Sequence, residues 1–247
     1  MHQAWHSWQR SHWLWIAAGV LAGSFVIIVV AGLLSPSPSD SPPVNAGSAQ
    51  AEFFNVVIFG VDDLLNGAPA VEAVWIGTFE LVGKNGVLLG LPPTFQLTNQ
   101  QSLEQAFAWA PDLGLDPAVV SALETTLNLQ IDNAVVMDEI CFQASLDFIG
   151  GIPMENGRTL NGAAALALQK LSANDPWMAL EVQSRILSNA SQRLAQLGQT
   201  PDLSPLLELT PGHCWLTMND EAAVELILRM LPLSEDGIRV DTLVDVE

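Results

Sequence analysis

The chain has 247 residues, with eight Lys and Arg against 27 Asp and Glu, for a formal net charge of −19 at pH 7. All 27 acids and seven of the eight bases lie at or beyond Asp40, so that part alone carries −20. This excludes the basic footprint of a nucleic-acid binder, argues against docking on anionic headgroups by charge alone, and favours solubility.

The first element is an anchor. Leu14 to Leu34 is an uncharged run of 21 residues, enough to cross a hydrocarbon core of roughly 30 Å at about 1.5 Å per residue. Trp5, Trp8, Trp13 and Trp15 crowd its N-terminal side, where indoles favour the water–lipid boundary. Arg10 precedes it and no base follows until Lys84. The run exceeds the roughly 7–15 residues of a signal-peptide core, and there is no lipobox cysteine. The expectation is a short cytoplasmic N-terminus over 1–13, a single-pass anchor over 14–34 and the remainder outside the membrane. Residues 35–50, SPSPSDSPPVNAGSAQ, form a Pro/Ser-rich linker. The folded domain is 51–247.

Between Phe54 and Thr94 come three apolar runs, FNVVIFGVDD, VEAVWIGTFEL and GVLLGLPPT. Rich in β-branched and aromatic residues and closed by Gly, Pro or Asp, they predict three buried strands. The second and third form a hairpin through Gly83-Lys84-Asn85-Gly86. Asp62 and Asp63 sit at the C-terminal tip of the first strand. In open α/β sheets that edge is where ligands bind.

A short helical pattern follows over Ser102 to Pro111. Asp116-Pro117 starts a helix over 118–127. Ala134 to Met137 predicts a further strand, and Glu139 to Phe148 a helix stopped by Gly150-Gly151. Helices are expected over 163–171, from Asp175-Pro176 to about Leu197, and from Asn219 to about Leu231. Ile238 to Leu243 reads as a late strand. The sum is an α/β, three-layer domain with a mixed central sheet, preceded by one transmembrane helix. Cys141 and Cys214 belong to no metal or redox motif; two buried free thiols are the expectation, with pairing the alternative.

Several of these segments resemble the LytR-CpsA-Psr family of bacterial envelope proteins. The first strand ends G-x-D at Gly60-Val61-Asp62, and the third ends in Leu91-Pro92. Ile131-Asp132-Asn133 precedes a strand, Ile149-Gly150-Gly151-Ile152 ends a helix, and Leu160-Asn161-Gly162 opens an alanine-rich one. The resemblance implies a membrane-anchored, extracytoplasmic domain. Its family moves glycopolymers from a polyprenyl-pyrophosphate carrier to the cell wall, with magnesium and a set of arginines.

The frame is similar, but most of the cations are not there. Where the family pattern has arginines, this chain has Leu64, Ala70, Pro93 and Ser172, with Thr94 in place of an aspartate. Lys170 is the one cation kept, and it lacks the arginine fork. Gln183 keeps a glutamine. Asp62 matches an aspartate, Glu72 stands at a second acidic position, and Asp175 at a late metal-binding one. With Asp63, these form the candidate magnesium set, while Lys170 and Gln183 are the candidate catalytic residues. A pyrophosphate needs cations to neutralise it, so the expectation is a non-catalytic domain. It would bind a polyprenyl-linked or cell-wall glycan ligand, or serve as a subunit of a membrane complex. The alternative is a magnesium-dependent phosphotransferase.

Overall fold

The computed structural model describes residues 52–154, 157–172, 174–196, 201–210, 212–234 and 237–243. The expected N-terminus, anchor and linker lie outside them. No helix among the described residues is long and apolar enough to cross a membrane.

A six-stranded mixed sheet forms the centre. β1 (Phe53–Val61) lies between β2 (Val71–Glu80), antiparallel to it, and β6 (Asn133–Met137), parallel to it. β3 (Asn85–Leu91) pairs antiparallel with β2, and β10 (Ile238–Thr242) parallel with β3. β9 (Cys214–Leu216) closes the other side antiparallel to β6. The spatial order is β10-β3-β2-β1-β6-β9. Two small hairpins lie apart from it, β4 (Trp109–Ala110) with β5 (Gly114–Leu115) and β7 (Ile152–Pro153) with β8 (Thr159–Leu160). β9 and both small hairpins escape a sequence reading, because runs of two or three residues are too short to show a period.

β1 is buried on both faces, as its near-continuous apolar run requires. Phe54, Val56 and Ile58 face one core with Trp75 of β2. Over that face lie α3 (Glu139–Phe148), α4 (Gly162–Lys170), α5 (Pro176–Leu194), α6 (Ser204–Leu207) and α7 (Asp220–Met230), which supply Phe142, Leu166, Ile186, Leu206 and Leu226. Val57, Phe59 and Val61 face a second core with Leu103 of α1 (Leu103–Ala106) and Leu123 of α2 (Pro117–Leu127). Helices on both faces make three layers. The pattern expected over Ser102 to Pro111 gives only one helical turn, because the chain then enters β4.

The recurring short motifs have structural roles. Asp132 ties β6 to β1, since its Oδ2 accepts from Asn55 N at 2.8 Å while its own N–H donates to Asn55 O at 2.9 Å. Gly150 and Gly151 both have positive φ, 82° and 79°. That is the left-handed turn that ends a helix, and glycine adopts it without a Cβ penalty.

The two cysteines are joined, Cys141 to Cys214, with 5.9 Å between Cα atoms. This corrects the expectation of free thiols. Met137 of β6 pairs with Cys214 of β9, and α3 begins two residues after Met137. The sheet therefore brings together two residues that sequence distance kept ambiguous.

Candidate functional site

β1 and β6 are parallel, so both C-terminal tips lie on one edge of the sheet. The antiparallel partners β2 and β9 begin there, and β3 ends there. Asp62, Glu72, Pro92, Asp138, Glu139 and His213 are thus gathered by topology alone. The last turn of α4 and the first turns of α5 complete the edge.

At its middle is a carboxylate cluster. Lys170, ending α4, lies 3.0 Å from Glu139 Oε1 and donates to Oε2 at 3.2 Å. Glu72 stands beside them, with its Oε2 shut off from solvent and without a hydrogen-bond partner. Burial, then the charges of Asp62 and Glu139, push the Glu72 carboxyl up to about 9, with Lys170 opposing. At neutral pH this carboxyl is therefore uncharged. Burial also raises Glu139, against the opposing hydrogen bond and charge of Lys170.

Gln183 is 2% exposed and its Oε1 accepts from Trp75 Nε1 at 3.4 Å. With Glu72, Thr94, Pro92 and Leu180 it lines a cavity of about 240 Å³ between the strand ends and α5. Among the described residues, no lysine or arginine lines that cavity.

The other candidate residues serve the backbone. Asp62 Oδ1 accepts from Asp63 N and Ala70 N, each at 2.8 Å, and closes the β1–β2 turn. Asp63 is exposed, and its Oδ1 accepts from Leu65 N. Asp175 caps α5, accepting from Trp177 N and Met178 N. Among the described residues, no three His, Cys, Asp or Glu side chains are placed to hold a metal ion. The four carboxylates named from sequence therefore do not converge on a protein-built magnesium cage, which takes several oxygen ligands. Asp62 and Glu72 remain near each other.

Positions where the resemblance implies arginines are occupied in ways that exclude a free cation. Leu64 is buried in the second core, and buried Ser172 donates to Gln169 O. Pro93 lines the cavity. Arg193, which is not at one of those positions, is held by the backbone, its Nε donating to Ile149 O.

Three residues on the edge, Asp138, Glu139 and His213, were missed from sequence. Asp138 is 2% exposed, caps α3, and holds His213 Nδ1 at 2.7 Å. Glu139 follows it. The signal was present, since Met137-Asp138-Glu139 repeats at β6 the acidic ending of β1.

This arrangement can be set beside known proteins. TagV of B. subtilis superposes with a TM-score of 0.61 at 17% identity, covering 79% of this chain and 86% of that one. The domain has a LytR-CpsA-Psr-like fold. B. subtilis TagT shares that fold at a TM-score of 0.57 and 15% identity, with 82% of each chain covered. TagT bound to LIIa-WTA gives 0.56 and 16%, covering 77% of this chain and 78% of that one. No protein-family model and no curated protein sequence matches the chain. The fold is thus shared at an identity where most side chains differ.

Proposed function

We propose that this is a membrane-anchored, extracytoplasmic LytR-CpsA-Psr-like domain that does not perform phosphotransfer. It binds a polyprenyl-linked or glycan ligand at the strand edge, or serves there as a subunit of an envelope complex. One observation carries the reading. The lysine at this edge is already paired with Glu139, and no lysine or arginine among the described residues lines the adjoining cavity. A pyrophosphate leaving group has nothing there to neutralise it. Like charges about 4 Å apart repel by roughly 4 kcal/mol at an effective dielectric of 20, so the charge of Asp62 disfavours a dianion.

The outward placement draws support from the Cys141–Cys214 bond, because disulfides persist in oxidising compartments. It also fits the uncharged 14–34 segment. TagT, of the same fold, is bound to LIIa-WTA, which puts an envelope glycopolymer among the ligands to test.

The test uses the full chain in detergent with a polyprenyl pyrophosphate, with and without magnesium. Melting temperature and released phosphate are followed together. Stabilisation without release is expected. Magnesium-dependent release that Asp62→Ala abolishes would instead establish the phosphotransferase, with Asp62 and Glu72 sharing the metal with phosphate oxygens. Neither effect would leave the subunit role, and the intact chain's co-purifying partners would then decide.

A further inference from the structure

Eight large apolar side chains stand out as exposed among the described residues, and five of them lie on the strand edge. Leu65, 69% exposed, is in the turn after β1, and Ile140, 48% exposed, is in the first turn of α3. Leu171, 69% exposed, follows Lys170, whose partner Glu139 precedes Ile140. Trp177 and Met178, 45% and 54% exposed, open α5 beside Pro176, which lines the cavity with Glu72. Four separate segments thus present Leu, Ile, Leu, Trp and Met at one end of the sheet. Apolar clusters of this kind on a soluble surface mark an interaction site.

We propose that this edge docks on the surface of the lipid bilayer, with Leu171, Trp177 and Met178 entering the headgroup region. The inference rests on the anchored reading above and adds the domain's orientation to it. The reach suffices. Ser35 to Glu52 is 18 residues, up to ~60 Å when extended. β1 has nine residues and spans ~30 Å, so the tether can enter at one end of the sheet while the opposite edge meets the membrane. A Trp beside Met and Leu suits the water–lipid boundary, where an apolar ring body and a polar N–H are both accommodated. Charge sets the lipid preference. Exposed Asp63 and Asp175 flank these residues, and Lys170 is already paired. The edge therefore favours zwitterionic over anionic headgroups.

The experiment reconstitutes the full chain in phosphatidylcholine vesicles, with the native disulfide oxidised. An environment-sensitive fluorophore is placed at Leu171→Cys or, as a control, at Val82→Cys. Val82 is 56% exposed and follows β2 at the far end of the sheet. Nitroxide-bearing lipid is expected to quench the Leu171 label, and aqueous iodide to reach it several-fold less well than the Val82 label. Phosphatidylglycerol should weaken this difference at low salt, with high salt restoring it. Replacing Trp177→Ser and Met178→Ser together should return iodide access to the Leu171 label. Equal iodide access at both positions, or shielding that survives the double replacement, overturns the docking. Carbonate extraction tests the anchor separately. A chain that washes off sinks the anchored reading and this inference with it, whereas a retained chain with equal access sinks the docking alone.

Discussion

Lys170 and Glu139 join the end of α4 to the start of α3, Nζ to Oε1 at 3.0 Å, with side chains 15% and 16% exposed. The pair neutralises the lysine where a free cation would otherwise face an anionic ligand. Lys170→Met would leave half-buried Glu139 beside Asp138 and Asp62 without compensation. A loss of about 2 kcal/mol is expected, between the values for surface and buried pairs. Adding Glu139→Gln should recover most of it. Denaturant unfolding of the singles and the double gives the coupling, and purely additive losses would show that the pair contributes nothing.

The Glu72 carboxyl sets a pH dependence whose sign follows from its direction. Its folded value lies above the unfolded one, so the folded state retains a proton that the unfolded state has lost, between pH 4.5 and about 9. Stability from this group is full below that window and falls as pH rises through it. Glu72→Gln should therefore flatten the decline, raising stability at pH 8 relative to pH 5 by on the order of 4 kcal/mol compared with the parent. Melting at the two pH values reads this directly. Equal declines in both proteins would mean that the carboxyl is wetted and ionised.

The Cys141–Cys214 bond closes a separation of 73 positions. Chain entropy alone puts its contribution at about 4 kcal/mol. Reduction, Cys141→Ser and Cys214→Ser should each lower the melting temperature by the same amount. The double replacement should cost no more than either single, since one bond is lost in every case. Thermal melts with and without reductant decide, and a parent protein indifferent to reductant would rule the bond out as a stabilising link.

Gly162 opens α4 against the backbone of α3, and its N–H donates to Asp147 Oδ1 at 2.7 Å. A Cβ there would meet the Gln143 carbonyl and Cα, which cannot move aside as a side chain can. Gly162→Ala should destabilise by about 1–3 kcal/mol, the usual cost of overpacking. The higher helix propensity of alanine predicts the opposite sign, so one unfolding curve separates packing from propensity.

Much of the architecture was legible in the residues themselves. β1 announced itself through Val56 to Phe59, and α2 and α5 through Asp116-Pro117 and Asp175-Pro176, because periodicity, proline and capping are local properties of the chain. The strand edge was legible too, since a run such as Ile58-Phe59-Gly60-Val61-Asp62 ends where the apolar pattern stops. So was the scarcity of cations, which needs only a reading of Leu64, Ala70, Pro93 and Lys170. Tertiary structure alone decided which groups meet. Glu139 and Lys170 are 31 positions apart, and Cys141 and Cys214 are 73 apart. Their encounters depend on the β1–β6 and β6–β9 registers and on how α3 and α4 pack over the sheet. Those long-range choices also left Glu72 Oε2 without a partner and collected Leu65, Ile140, Leu171, Trp177 and Met178 on one exposed edge, whereas the amide bonds of Asp63 and Asp175 are local ones.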